Sequence, residues 1–146
     1  MDVVKVSRQD YPTLIDLWEA SVRATHHFLP EQYIAQLKPL ILQHYFDAVA
    51  LRGVKLRNEL AGFIGVAAGN IEMLFVSPGY FGNGVGRALV EYAINELEAG
   101  KVDVNEQNPQ AIGFYERLGF KRIGRSALDS QGNPFPLIHM AIKAAQ

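Results

Sequence analysis

Cysteine is absent from the chain, which excludes a disulfide framework, a thiolate metal cage and a cysteine nucleophile. Charge of one sign is also scarce. The formal net charge is −1 and no basic run exceeds two residues, so nothing in the electrostatics calls for nucleic acid or an anionic membrane surface. No segment approaches the roughly 18 consecutive apolar residues of a membrane span. The opening MDVVKVSRQD lacks the basic stretch and apolar stretch of a secretion signal. The expectation is a soluble, cytoplasmic protein, monomer or homodimer, with no nucleic-acid or membrane partner. Repeats, low-complexity tracts and Pro/Gly/Ser linkers are missing too, and 146 residues with 49% hydrophobic content suit one domain over 1–146. The histidines, His26, His27, His44 and His139, show no paired helical ligand spacing, so no metal is expected.

The elements that are present are short and varied. Val3 to Val6 reads as a strand, and Asp10-Tyr11-Pro12 opens a helix with Leu14, Leu17, Trp18 and Val22 on one face, fading near Thr25. Glu31 to His44 has helical spacing at Ile34, Leu37 and Ile41, with Pro39 predicting a kink or a split. Ala48 to Leu56 and Leu60 to Ala67 read as strands joined around Arg57-Asn58, and Gly69-Asn70 reads as the tight turn into a third strand, Ile71 to Val76.

Next comes GYFGNGVGRALVEYAINEL, Gly79 to Leu97, with glycines at 82, 84 and 86 and then an apolar stripe of Val85, Leu89, Tyr92, Ala93 and Leu97. The predicted helix ends at Gly100. A helix N-terminus has unpaired N–H groups and a partial positive charge, and glycine lets backbone approach a ligand closely, so this stretch predicts an anion cradle suited to phosphate. It is no P-loop, because Arg87 and Ala88 stand where Lys and Ser/Thr are required, and no dinucleotide fingerprint, because Arg87 and Leu89 occupy the third-glycine positions. Taken alone, the loop is also consistent with a plain strand-to-helix turn.

A second motif follows in VDVNEQNPQAIGFYERLGFKRIG, Val102 to Gly124. Val102 and Val104 alternate as in a strand, Asn108-Pro109 is an N-cap with proline in the first turn, and Ala111, Ile112, Tyr115 and Leu118 share a helix face that Gly119 ends. In these residues the chain resembles the GNAT acyltransferase superfamily, whose glycine loop reads Gln/Arg-x-x-Gly-x-Gly/Ala and whose later strand, helix and turn read NxxAxxFYExxGF. Phe81 to Gly86 matches the first motif except at Phe81. Asn108, Ala111, Phe114, Tyr115, Glu116, Gly119 and Phe120 match the second. The run from Trp18 to Leu29 and the end from Gly124 to Leu137 resemble a bacterial YjaB-like subgroup. The resemblance covers Val3 to about Lys143.

The resemblance implies that the loop holds the pyrophosphate of coenzyme A through backbone amides from Phe81, Gly82, Asn83, Gly84, Val85 and Gly86 to Arg87, whose side chain either adds charge or is simply solvated. It further implies a bulge in the third hairpin strand, at Phe75 and Val76, with Leu74 beside them, and a coenzyme surface completed by Asn108, Ala111 and Phe114. Acyl transfer needs a neutral amine, a donor for the oxyanion and an acid for the departing thiolate. Tyr115 is the acid the resemblance implies, since a phenol with a pKa near ~10 is protonated at neutral pH; without the motif it would read as a core tyrosine. Glu72 is the base implied, or else a strand residue facing solvent. Trp18, His26, His27 and Phe28 are expected to wall the acceptor pocket.

The expectation is one α/β domain, a mixed, mostly antiparallel and splayed sheet flanked by helices. It would transfer acetyl from acetyl-CoA to a small-molecule or peptide amine by direct attack in a ternary complex. No Ser-His-Asp order is visible in the sequence, so an acyl-enzyme has no support there. The competing readings are an acyl-CoA-binding sensor or regulator that has lost turnover, and an interaction protein using exposed residues between Phe28 and Tyr45.

Overall fold

Two pairs of left-handed residues shape the first half of the sheet. Arg57 and Asn58 (φ 54° and 64°) join β2 (Ala50–Leu56) to β3 (Glu59–Ala67), and Ala68 and Gly69 (φ 50° and 79°) join β3 to β4 (Asn70–Val76). A two-residue hairpin that follows the strand twist needs positive φ at both central positions. The second turn is therefore Ala68-Gly69 rather than the expected Gly69-Asn70, and Asn70 is the first residue of β4, opposite Ala67.

This computed structural model describes residues 1–142; Lys143 and the rest of the expected 1–146 domain lie outside the described residues. The remaining elements are β1 (Val3–Lys5), α1 (Tyr11–Thr25), α2 (Glu31–Leu40), α3 (Val85–Glu96), β5 (Lys101–Asn105), α4 (Pro109–Arg117), β6 (Phe120–Ser126) and β7 (Leu137–Ile142). They build one seven-stranded sheet in the order β1-β2-β3-β4-β5-β7-β6. Every neighbouring pair is antiparallel except β4 with β5. That parallel pair is short, joining only Asn70 to Lys101 and Ile71 to Val102 before the strands part.

Alternation along the strands sends apolar side chains to both faces. One core gathers Leu14, Trp18, Val22, Phe46, Phe63 and Met73 beneath α1 and α2. The other gathers Ile64, Val85, Leu89, Tyr115, Phe120 and Met140 beneath α3 and α4. Pro39 acts as expected. It has no N–H to donate one turn back, and α2 gives way at Ile41–Tyr45 to a wider π-helical turn and then a 3₁₀ turn, Phe46–Ala48.

Two boundaries differ from the sequence reading. The helix expected to reach Gly100 stops at Glu96, because Glu98 turns left-handed (φ 56°) and the Ala99 N–H donates to the Ala93 carbonyl at 3.0 Å. Gly100 instead donates to Gly69 and so ties the end of that loop to the β3–β4 turn. The bulge expected at Phe75 and Val76 falls at Glu72: Gly65 pairs with Met73 and Val66 with Ile71, leaving Glu72 unopposed, while Phe75 and Val76 pair regularly with Phe63 and Gly62.

Asn108 caps α4, its Oδ1 accepting from the Ala111 N–H at 3.2 Å. Asn108→Ala is expected to lower stability by about 1 kcal/mol, as loss of an N-cap does. Urea denaturation checks this, with the midpoint falling and the slope unchanged.

Candidate active site

Where β4 parts from β5, the sheet opens and two cavities meet at Phe75, which lines both. The smaller, about 240 Å³, lies between the outer half of β4 (Leu74, Phe75, Val76), the glycine loop (Phe81, Gly86) and α4 (Asn108, Ala111, Phe114, Tyr115), and is bounded by Ser21, Thr25 and His26. The larger, about 550 Å³, lies under α1 and α2 and reaches across to β5 and the loop before β7. Glu72, at the bulge, lines the larger one and is exposed.

The glycine loop has the geometry of an anion site. Gly82 and Gly84 both have φ 81°, and Gly84 is the left-handed N-cap of α3. The amides of Gly84, Val85, Gly86 and Arg87 find no backbone acceptor among the described residues, as at any free helix N-terminus. Gly86 has ordinary helical backbone and serves through its size. A Cβ there would lie 3.4 Å from Phe114 Cζ and 3.7 Å from Val76 Cγ2, facing the smaller cavity. Val85 turns its side chain into the core, and Arg87 bonds Glu91 at 2.8 Å on the exposed face of α3. Phe81, 45% exposed, spreads an apolar ring over the cavity where the motif has a polar side chain.

Tyr115 is 5% exposed and packed edge-on between Phe114 and Phe120, with ring centroids 5.0 and 5.4 Å away. Its hydroxyl has no protein hydrogen-bond partner among the described residues. Because no fully enclosed side-chain polar atom there is left unpaired, that hydroxyl must open onto the cavity the residue lines. Burial pushes the phenol pKa well above its ordinary value. It therefore holds its proton throughout the neutral range.

His26 stands across the same cavity. The Thr25 hydroxyl donates to the Ser21 carbonyl at 2.7 Å and lies 2.7 Å from His26 Nδ1, so a neutral His26 carries its proton on Nδ1 and donates it to Thr25. Burial, with a smaller effect from His27, holds the imidazole below its ordinary pKa. The sign follows from linkage. The folded state binds this proton less readily than the unfolded state, so stability present above pH 6.5 is lost as the pH falls through the folded value. Between pH 7.5 and 5.5 the melting temperature of wild type is expected to drop further than that of His26→Gln, by differential scanning fluorimetry.

Of the other expected acceptor-wall residues, Trp18 is 3% exposed and lines the larger cavity. His27 is exposed and lines neither cavity. Phe28 packs between His26 and Phe135, bracing the α1–α2 loop from outside.

The structure adds residues that the sequence reading passed over. Asp103, Asp129 and Gln131 line the larger cavity, together with Tyr33 and Tyr45. The Tyr33 hydroxyl donates to Asp129 at 2.8 Å, and Gln131 donates to the Tyr45 hydroxyl at 2.7 Å, tying α2 and the π-helical turn after it to the loop before β7. Burial and this bond push the Tyr33 pKa up to about 12. Burial works against ionisation of Asp129, but bonds from the Asn133 and Gln131 amides and from Tyr33 outweigh it and keep the carboxyl below its ordinary pKa. Asp103 was readable from the Val102/Val104 alternation, which points position 103 to the opposite face. Asp129 lies in an aperiodic loop with no comparable signal.

Comparison with known proteins places this geometry. The family model described as "Acetyltransferase (GNAT) domain" matches residues 19–144. Peptidyl-lysine N-acetyltransferase YjaB of Escherichia coli (strain K12) is 39% identical over 132 residues, 90% of each chain. The solution structure of the apo form of YjaB from Escherichia coli superposes with a TM-score of 0.86 at 36% identity, covering 99% of this chain and 98% of that one. A PaiA N-acetyltransferase from Thermoplasma acidophilum in complex with coenzyme A shares the fold at 21% identity, with a TM-score of 0.73 and coverage of 97% and 98%.

Proposed function

The chain belongs to the GNAT family and is an acetyltransferase, and we propose that it transfers acetyl from acetyl-CoA to the side-chain amine of protein lysine. The observation that carries the acceptor is the larger cavity. Glu72, Asp103 and Asp129 line it, and among the described residues no lysine, arginine or histidine does, so it favours a cation entering beside Trp18 and Tyr33. The relatives named peptidyl-lysine N-acetyltransferases support the same choice.

The residues present fit coenzyme A. The free amides from Gly84 to Arg87 suit its pyrophosphate, Gly86 leaves room between Phe114 and Val76, and the open edge of β4 offers backbone groups to its amide-bearing arm. When bound, the coenzyme supplies the activated acetyl thioester. Tyr115 holds a proton at its hydroxyl for the departing sulfur, and Glu72, at the bulge, takes the proton of the amine through water. The backbone near Val76 presents an amide to the thioester carbonyl. Two cavities that meet at Phe75 support direct attack in a ternary complex.

Two measurements test this. Coenzyme A at about 100 times its Kd is expected to raise stability by about 2.7 kcal/mol. Thiol release from acetyl-CoA is expected with a lysine peptide blocked at its N-terminus. No thermal shift at millimolar coenzyme would remove the cosubstrate, and turnover confined to free N-termini or polyamines would remove the lysine.

A further inference from the structure

The sheet register assembles a constellation the linear sequence hides. Asp103 and His139 are direct partners across β5 and β7, and Asp103 Oδ1 lies 2.6 Å from His139 Nδ1. On the other side of the ring, His139 Nε2 lies 2.6 Å from Ser126 Oγ on β6. A carboxylate on Nδ1 fixes the neutral tautomer with the proton on Nδ1, which leaves the Nε2 lone pair to accept from the serine hydroxyl. The linear sequence shows no Ser-His-Asp order; three neighbouring strands supply one.

A bulge makes the alignment. The β6–β7 register slips between Arg122 and Gly124, so that Ile123 is extra, Gly124 faces His139, and Ser126 faces Leu137. Without the slip, Ile123 would oppose His139 and Ser126 would turn to the α3/α4 face. Gly124 gives the imidazole room to span its two partners, since even a Cβ at 124 would lie 3.5 Å from His139 Cδ2. Arg125, between them, is occupied with Glu106. All three members remain reachable from solvent: the His139 side chain is 31% exposed, Asp103 43%, and Ser126 only part-buried. β6 is the outermost strand, so its free edge carries unpaired N–H groups of the kind that meet an oxyanion.

We propose that Ser126, His139 and Asp103 form a second, nucleophilic site that takes the acyl group of short acyl esters. Ser126 Oγ attacks the carbonyl carbon while its proton passes to His139 Nε2. The C–O bond to the leaving alcohol breaks, and that alcohol takes the proton from Nε2. The acyl-serine is released by water, which gives its proton to His139, and His139 returns it to Ser126. Asp103 is the positioning residue that keeps the imidazole in the productive tautomer. The site stands at the rim of the acceptor cavity, which Asp103 and Leu137 line, but it needs no coenzyme.

The test uses a fluorophosphonate probe and p-nitrophenyl acetate, neither of which involves the acetyl-CoA reaction, so its outcome is separate from that of the lysine assay. Peptide mass spectrometry of the labelled wild-type protein is expected to place one adduct on Ser126, and Ser126→Ala to lose it. His139→Gln, with an unchanged melting temperature, is expected to label about a hundredfold more slowly, the lower range for loss of a general base, with p-nitrophenol release falling in parallel. A cluster that merely ties three strands together would give no labelling. Unlabelled wild type, an adduct on another residue, or wild-type labelling rates in folded His139→Gln would overturn the proposal.

Discussion

Gly86→Val is expected to abolish the stabilisation by coenzyme A while leaving the unliganded protein folded with a melting temperature near that of wild type. The two halves of this result have separate causes. Gly86 lies in the first turn of α3 with ordinary helical backbone, and valine is at least as good a helix residue as glycine, so the helix itself loses nothing. Space is what changes. The Cβ already sits 3.4 Å from the Phe114 ring, and the two methyls beyond it have only the cavity to enter. Gly86→Ala stops at the Cβ and is expected to weaken binding only in part, whereas a Cβ at Gly84 would meet only Met1 Cε at 3.9 Å, an ordinary contact, so Gly84→Ala acts through its left-handed φ of 81°, destabilising by about 1 to 2 kcal/mol without blocking the site. Isothermal titration with coenzyme A separates the three. Equal affinity in wild type and Gly86→Val would place the cradle elsewhere.

This division between strained and merely small glycines shows what a sequence can and cannot disclose. Three glycines at alternate positions before an amphipathic helix announce an anion site, because helix ends leave amides free whatever the tertiary fold. Which glycine serves through conformation and which through space depends on Phe114 and Val76, distant in sequence, and is visible only once α4 is laid against α3. The same holds for the bulge. Its existence followed from a resemblance, but its place at Glu72 is set by which residues of β3 and β4 pair; the slip there sends Ile71 and Met73 to opposite cores, which two apolar residues at alternate positions do not disclose. Helix stops were read from Gly100 because glycine is the usual left-handed residue, yet Glu98 takes that conformation here. Local chemistry was thus legible, and pairings between strands were not. Asp103, His139 and Ser126 lie on three strands whose register no local pattern encodes, and the carboxylates of the larger cavity come together from β4, β5 and the loop before β7.

Tyr115→Phe is expected to lower kcat for acetyl transfer by roughly ten- to a thousandfold, with KM for acetyl-CoA and the melting temperature close to wild type. The structure sharpens this beyond what the motif supports. A buried tyrosine whose hydroxyl is hydrogen-bonded within the core loses about 0.5 to 1.5 kcal/mol when that bond is removed, but the Tyr115 hydroxyl has no protein partner among the described residues and opens onto the smaller cavity. The ring, held edge-on by Phe114 and Phe120, is retained by phenylalanine. Folding therefore has little stake in the oxygen, and what remains for it is the group that enters the cavity. Burial raises the phenol pKa, which keeps the proton in place at every pH where the protein works and leaves the pH dependence of kcat to the acceptor side. A Tyr115→Phe protein with full turnover would end the assignment and leave water or His26, across the same cavity, as the proton source. A protein that lost both turnover and several degrees of melting temperature would show that the hydroxyl is bonded within the fold after all.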